Sequence, residues 1–365
     1  MSIRQAARDN RSVKTLRITA DRLDASSFRH AIAQASGILR RGGLVALPTE
    51  TVYGLGANAL DAAAVARIFE AKQRPAWDPV IVHIAGPLAE NAMLATLVTH
   101  IPDSAHKLMQ AFWPGPLTFL LPRSSAVPDP VTAGRPLVGI RMPAHPVASE
   151  LIRAAGVPIA APSANVFGHI SPTTAAHVLA DLDGRIDAIL DAGPTQHGVE
   201  STVLDPTQTP MVIYRPGAIT ADQIRSIAGP VEVFQAPAVA AEPREALPSP
   251  GVGLRHYAPR ARLVLIERPL AEQPARLAEE AQRYRSECLG VMLPTEVPAS
   301  ELTRSHPGAI AFPWGSWSNP EELAQNLYAG LRALDAQGCT LILCPLPPNE
   351  GLGAAIHDRL VKAAR

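Results

Sequence analysis

Apolar positions along this chain fall into short runs bounded by prolines, glycines and small polar residues, and these runs alternate with segments of helical period. Leu44 to Leu47 and Val80 to Ile84 have the length and content of buried strands. Between them Val65, Ile68, Phe69 and Lys72 fall at i, i+3, i+4 and i+7, which predicts a helix over 62–71. Asp61 is its natural N-cap and Pro75 bars its continuation, so Lys72 is placed in the last turn. A second helix over about 102–111 leads through Trp113-Pro114-Gly115-Pro116 into the strand Leu117 to Leu121. Further strands are predicted at Val138 to Met142, Pro158 to Ala161, Ile186 to Leu190, Ser201 to Leu204 and Val212 to Tyr214. Thr220 caps a short helix ending near Gly229, and residues 15–229 read as one α/β unit.

Residues 230–260 carry six prolines among alanine and small polar residues, the composition of a semi-rigid linker. Beyond it, over 261–365, strands at Leu263 to Ile266, Leu289 to Leu293, Ala309 to Phe312 and Thr340 to Cys344 alternate with helices over about 270–287 and 320–337. That alternation predicts a small parallel-sheet domain. At the other end residues 1–14 mix Arg4, Arg8, Asp9, Arg11 and Lys14 with polar residues, which reads as a flexible arm and not a signal peptide.

Composition narrows the function classes. Lys plus Arg and Asp plus Glu both number 33, so no global field draws the chain to nucleic acid or to an anionic membrane. With 47% hydrophobic and 18% charged residues the 365-residue chain lies far from the disordered class. Aromatics make up only 4%, too few for stacking platforms along single-stranded nucleic acid. The three cysteines, Cys288, Cys339 and Cys344, form no C-x-x-C pair and no disulfide framework, which makes a cytoplasmic location the expectation. No run approaches the ~18 apolar residues of a membrane span.

Common nucleotide motifs are missing. There is no G-x-x-x-x-G-K-[ST], and Gly54-Leu55-Gly56 lacks the third glycine of a dinucleotide fingerprint. Neither H-E-x-x-H nor G-x-S-x-G occurs, and the eleven histidines do not cluster at ligand spacing, so no protein-borne metal site is expected. What remains is a set of polar residues at strand ends, where an α/β sheet presents its ligand groups. In Pro48-Thr49-Glu50-Thr51-Val52-Tyr53-Gly54-Leu55-Gly56 the hydroxyls and the carboxylate can hold an amino acid, although a capped turn needs the same residues. Lys72-Gln73-Arg74-Pro75 puts two cations within three residues, either as a phosphate clamp with Arg74 bidentate or as a solvated helix end. His83 shares a strand face with Ile81, the usual place of a packing histidine. Arg141, flanked by apolar neighbours, needs an anion, either an internal carboxylate or a substrate's. Ala160-Ala161-Pro162-Ser163-Ala164-Asn165 ends a strand in small residues that admit a flat ring or form a simple turn. Gly198-Val199-Glu200-Ser201-Thr202-Val203 and Tyr214-Arg215-Pro216-Gly217 complete the series.

Taken in order, this series resembles the YrdC-like family of L-threonylcarbamoyladenylate synthases in its long form, almost continuously over 44–217. Ser249-Pro250-Gly251-Val252-Gly253-Leu254-Arg255-His256-Tyr257-Ala258-Pro259 is similar to the long form's linker signature. The resemblance implies a twisted mixed-sheet catalytic domain with a concave site, plus a small Rossmann-like C-terminal domain. It implies a nucleotidyltransferase that condenses L-threonine, bicarbonate and ATP to threonylcarbamoyl-AMP and pyrophosphate. The product would feed a downstream tRNA threonylcarbamoyl-transferase machinery. Carried over by position, it places threonine near Thr51, His83, Arg141, Ala161 and Ser201. ATP falls near Lys72, Arg74, Asp78, Ser163, Asn165, Ser171 and Arg215, with Tyr257 closing over the site, Lys72 and Arg74 in the catalytic role, and Mg²⁺ accompanying the nucleotide.

Two positions depart from the family pattern. Gln73 stands where the family has glycine, which strains a turn that needs positive φ. Asp78 stands where the family has asparagine, and a carboxylate there must pair with Arg74 or help hold Mg²⁺. A double-stranded RNA-binding module, using Lys72, Arg74, Arg141 and Arg215 as a basic face, is the alternative; zero net charge and isolated cations weigh against more than weak RNA binding. A carbamoyl-transfer domain like that of hydrogenase maturation proteins is a third reading, disfavoured because no acylphosphatase-like or zinc-finger segment is present. The C-terminal domain, without a glycine fingerprint, reads as a lid, docking or assembly element.

Overall fold

The strand-forming runs condense into two sheets. The computed structural model describes residues 14–235, 247, 249 and 256–365. Strands of the first sheet are β1 (Leu16–Thr19), β2 (Val45–Pro48), β3 (Tyr53–Asn58), β4 (Ile81–His83), β5 (Leu117–Pro122), β6 (Leu137–Arg141), β7 (Ile159–Ala160), β8 (Ala188–Asp191), β9 (Thr202–Asp205), β10 (Met211–Arg215) and β11 (Val231–Val233). They lie in the order β1-β8-β2-β3-β7-β4-β6-β5-β9-β10-β11 and pair both parallel and antiparallel. Helices α1 (Ala25–Arg40), α2 (Ala62–Lys72), α3 (Ala92–Leu97), α4 (Asp103–Phe112), α5 (Asp129–Thr132), α6 (Pro146–Ala155), α7 (Ala175–Leu182) and α8 (Ala221–Ala228) cover it. This is the mixed sheet that the resemblance implies.

Both faces of the sheet are covered, and β2 shows how. Leu44 and Ala46 join the core under α2, α4 and α7, while Val45 and Leu47 face α1 and α6 on the other side. Asp61 caps α2 through hydrogen bonds from the amides of Ala63 and Ala64, and Lys72 is the last helical residue. The segment after β2 is only in part the capped turn expected. Residues 49–52 turn, but Tyr53 onwards forms β3, antiparallel to β2. A Cβ on Gly56 would stand 2.8 Å from Leu47 Cδ2 and 2.9 Å from Ile159 Cγ2, so the glycine lets side chains of both neighbouring strands cross the backbone.

The second sheet comprises β12 (Arg262–Ile266), β13 (Leu289–Pro294), β14 (Ile310–Gly315) and β15 (Leu341–Pro345), all parallel in the order β12-β15-β13-β14. With α9 (Gln273–Arg283), α10 (Ala299–Ser305), α11 (Pro320–Ala336) and α12 (Leu352–Ala363) it forms the expected Rossmann-like unit. Residues 231–233, placed by the sequence in the linker, instead extend the first sheet as β11. Most of the remaining linker, and residues 1–13 of the arm, lie outside the described residues. The two units share one apolar core, in which Val52, Ile170, Val199 and Tyr257 pack with Trp314, Leu323, Leu327 and Tyr328. Gly198, at φ 71°, sits so close to α11 that a Cβ would be 2.3 Å from the Ala324 carbonyl oxygen. No helix among the described residues is long and apolar enough to cross a membrane.

Candidate active site

One mouth of the first sheet collects the polar strand ends. Thr51, His83, Arg141, Ala161, Ser201, Arg74, Ser163, Arg215 and Tyr257 line a single void, together with Thr49, Glu200 and His256. Lys72, Asp78, Asn165 and Ser171 stand directly behind and are tied to residues of the lining. The thirteen positions singled out from sequence therefore meet in one place.

On one side of the mouth, the turn after β2 is held by Thr49, whose Oγ1 donates to the Val52 carbonyl at 2.7 Å and stands 2.8 Å from Thr51 Oγ1. This points Glu50 and Thr51 at Arg141 across the sheet. Arg141 donates to Thr51 Oγ1 at 2.9 Å and to the Gly115 carbonyl at 3.2 Å, and pairs with Glu50 Oε1 at 2.8 Å. Arg141 thus has an internal carboxylate beside it, at the edge of the void it also lines. His83 is the register partner of Arg141 on β4, and burial first, then Arg141, pull its pKa down to about 3. It is a neutral imidazole, and its buried Nδ1 has no hydrogen-bond partner among the described residues.

The other side carries the cations of the α2 terminus. Gln73 adopts φ 53°, ψ 38° as the helix C-cap, so a non-glycine residue does occupy the left-handed turn. Lys72 Nζ, 1% exposed, donates to the carbonyls of Ser163 at 2.6 Å and Asn165 at 2.5 Å. Burial and the neighbouring Arg74 push its pKa well down. Arg74 pairs with Asp78 Oδ2 at 2.9 Å and donates to the carbonyls of Asp78 and Pro79. Of the two roles the sequence left open for Asp78, the structure contains the pairing. At the far end of β10, Arg215 donates to Ser201 Oγ and to the Ser201 carbonyl, both at 3.0 Å, and Ser201 Oγ is 2.8 Å from Thr118 Oγ1.

Charge bookkeeping at this mouth is informative. Glu50 pairs with Arg141, Asp78 with Arg74, and Glu200 with Arg359 of α12. Lys72 and Arg215 have no carboxylate partner among the described residues, and both are buried. Two buried basic groups without counter-ions, beside a cluster of hydroxyls, make a site for a polyanion. Lys72, Arg74, Arg141 and Arg215 are all at most 7% exposed, so they form no open basic face, and the RNA-binding reading finds no support.

Sequence reasoning gave no site role to Thr118 or Glu200, nor to Tyr328 and Arg359 from the C-terminal domain, and it offered the Glu50 carboxylate to an amino acid where the structure pairs it with Arg141. Thr118 had a legible signal, a hydroxyl inside the otherwise apolar run Leu117 to Leu121. Arg359 had none, because its partner Glu200 is 159 residues away.

A mixed sheet with a buried, cation-rich mouth lined by hydroxyls suits an enzyme that positions charged reactants, of the nucleotidyltransferase type. Comparison with known proteins agrees. A family model described as telomere recombination matches residues 37–217, and that of the threonylcarbamoyl-AMP synthase C-terminal domain matches 219–365. The threonylcarbamoyl-AMP synthase of Bacillus subtilis is 43% identical over 96% of this chain and 98% of its own length. That of Pyrococcus abyssi is 43% identical over 90% and 93%. The crystal structure of P. abyssi Sua5 complexed with L-threonine matches with a TM-score of 0.85 at 40% identity, covering 96% of this chain and 97% of that one. The chain belongs to the threonylcarbamoyl-AMP synthase family.

Proposed function

We propose that this chain binds L-threonine on the Arg141 side of the mouth and ATP on the Lys72 and Arg215 side, and joins them through bicarbonate. Threonine's amine and CO₂ form a carbamate with loss of a proton. A carbamate oxygen attacks the α-phosphorus of ATP, the bond to the bridging oxygen breaks, and pyrophosphate leaves. Two anions must approach, so the protein's task is to offset their repulsion and hold them in line. Arg141, already oriented by Glu50, Thr51 and Gly115, offers a guanidinium to the threonine carboxylate. Ser201 and neutral His83 supply hydrogen-bonding groups beside it. The buried Lys72 and Arg215, lacking carboxylate partners among the described residues, carry this reading.

The void at the mouth is about 50 Å³, against ~300–1,000 Å³ for typical ligand pockets. A nucleotide therefore enters only as lining groups move apart, Tyr257 of the linker among them. No three His, Cys, Asp or Glu side chains among the described residues gather at metal-binding distance, and Mg²⁺ would enter with ATP, held by its phosphates. Asp78 Oδ1, buried and without a hydrogen-bond partner among the described residues, would be available to join them. Three free thiols fit a reducing compartment, and a tRNA threonylcarbamoyl-transferase would consume the product. The test is pyrophosphate release with threonine, bicarbonate and ATP omitted one at a time. Release should require all three, and release from ATP alone at the full rate would overturn the reading.

A further inference from the structure

Glu200 stands one residue before Ser201, at the entry to β9, and its carboxylate is turned into the boundary with the C-terminal domain. Oε1 accepts from Ser171 Oγ at 2.5 Å. Oε2 accepts from Tyr328 OH on α11 at 2.9 Å and from Arg359 Nε on α12 at 2.8 Å. Arg359 is 1% exposed, also binds Asp358 Oδ2 at 2.6 Å, and its guanidinium carbon lies 5.3 Å from the centroid of the Tyr257 ring. The catalytic domain thus supplies an anion whose neutralising donors come largely from the other domain. Burial opposes ionisation of Glu200, but Arg359 first and Arg215 second outweigh it and hold the carboxyl down to about 2. Glu200 is therefore a carboxylate at neutral pH, facing the same void as Arg215.

We propose that Arg359, assisted by Tyr328, is a positioning residue that keeps the Glu200 carboxylate turned away from Arg215, so that Arg215 stays open to the nucleotide's phosphates. The inference rests on the reading of Arg215 as a phosphate-binding cation. In a dry cluster two guanidiniums compete for one carboxylate, and the loser is left to the ligand. At present Arg359 holds Glu200, while the hydrogen bonds of Arg215 go to Ser201 alone among the described residues. Without Arg359, Arg215 is the cation left to Glu200, and ATP must break that pair before it binds. The C-terminal domain then acts on catalysis through charge placement.

Steady-state kinetics on the full chain tests this. Arg359→Met should raise KM for ATP by ~10–100-fold, with KM for threonine within ~threefold of the parent. Arg359→Met combined with Glu200→Gln should bring KM for ATP back to within ~threefold of the parent, since the competing anion is gone. Tyr328→Phe, which leaves no bare charge, should raise KM for ATP severalfold in the same selective way. It keeps the test alive if Arg359→Met fails to fold. A merely structural ion pair would lower the melting temperature without separating the two KM values, and equal rises for ATP and threonine would overturn the proposal. Arg215→Met serves as the reference. A raised KM for ATP there, beside an unchanged one in a folded Arg359→Met, overturns the positioning role alone. An unchanged KM for ATP in Arg215→Met overturns the phosphate reading and the proposal with it.

Discussion

Lys72 and Arg74 sit two residues apart at the end of α2, yet their removal should have different consequences. Arg74→Met strips the counter-ion from Asp78, a carboxylate only 1% exposed. Breaking a buried pair by removing one partner costs ~3–5 kcal/mol. Lys72→Met leaves no paired charge behind, because its ammonium is held by two carbonyls and, among the described residues, by no carboxylate. Its stability loss is confined to those acceptors, ~1–3 kcal/mol, and is offset by relief of a buried cation. On the catalytic side both lose a cation from the phosphate region, worth ~2–5 kcal/mol if the contact is desolvated. At ~1.4 kcal/mol per decade that is ~30-fold to over 1000-fold in kcat/KM for ATP. Denaturant unfolding and pyrophosphate release, measured on both variants, separate the effects. Arg74→Met should lose stability and activity together, and adding Asp78→Asn should restore most of the stability but not the activity. Lys72→Met should keep most of its stability and lose activity. If Lys72→Met is as unstable as Arg74→Met and turns over ATP at the parental rate, the assignment of Lys72 to a ligand and not to the scaffold is wrong.

Other expectations follow from single residues. Gln73→Gly should raise stability by ~1 kcal/mol, since φ 53° costs a residue with a Cβ, and a lowered unfolding midpoint would refute the strain. Gly198→Ala should destabilise by ~2–5 kcal/mol, the sum of a positive φ and a Cβ driven into the Ala324 carbonyl, checked by thermal unfolding. His83, held to about 3 when folded against 6.5 when unfolded, binds its proton more readily in the unfolded chain. Its contribution is therefore full above pH 6.5 and lost as pH falls toward 3, ~2 kcal/mol being gone by pH 5. His83→Gln should flatten the stability slope between pH 6.5 and 5, and an unchanged slope would place the acid sensitivity elsewhere.

Legibility in the sequence followed the range of the interactions. Strands with largely apolar runs, such as β5 and β6, were predicted within a residue or two because both faces of the sheet are covered and Thr118 alone interrupts the apolar run before Arg141. The strand β3 was hidden, since Tyr53-Gly54-Leu55-Gly56 carries two glycines whose purpose is steric room for Leu47 and Ile159, a relation visible only once three strands are side by side. Caps were legible because they are local. Asp61 and Thr220 both accept the amide hydrogen bonds expected of them. The chemistry-bearing residues were found through the motifs, but their pairing was not. Arg141 and Glu50 are 91 residues apart, and nothing in either motif says that one neutralises the other. The contribution of α11 and α12 to the mouth, through Tyr328 and Arg359, belongs to the same class of long-range contact.

The central claim is that Lys72 and Arg215, two buried basic groups without carboxylate partners among the described residues, await the phosphates of ATP. The most direct measurement is a crystal structure with threonine and a non-hydrolysable ATP analogue. The account predicts phosphate oxygens within hydrogen-bond distance, ~2.7–3.2 Å, of Lys72 Nζ and of the Arg215 guanidinium, with Tyr257 displaced from its present place. Phosphates bound elsewhere, with both side chains still on the carbonyls of Ser163, Asn165 and Ser201, would contradict it.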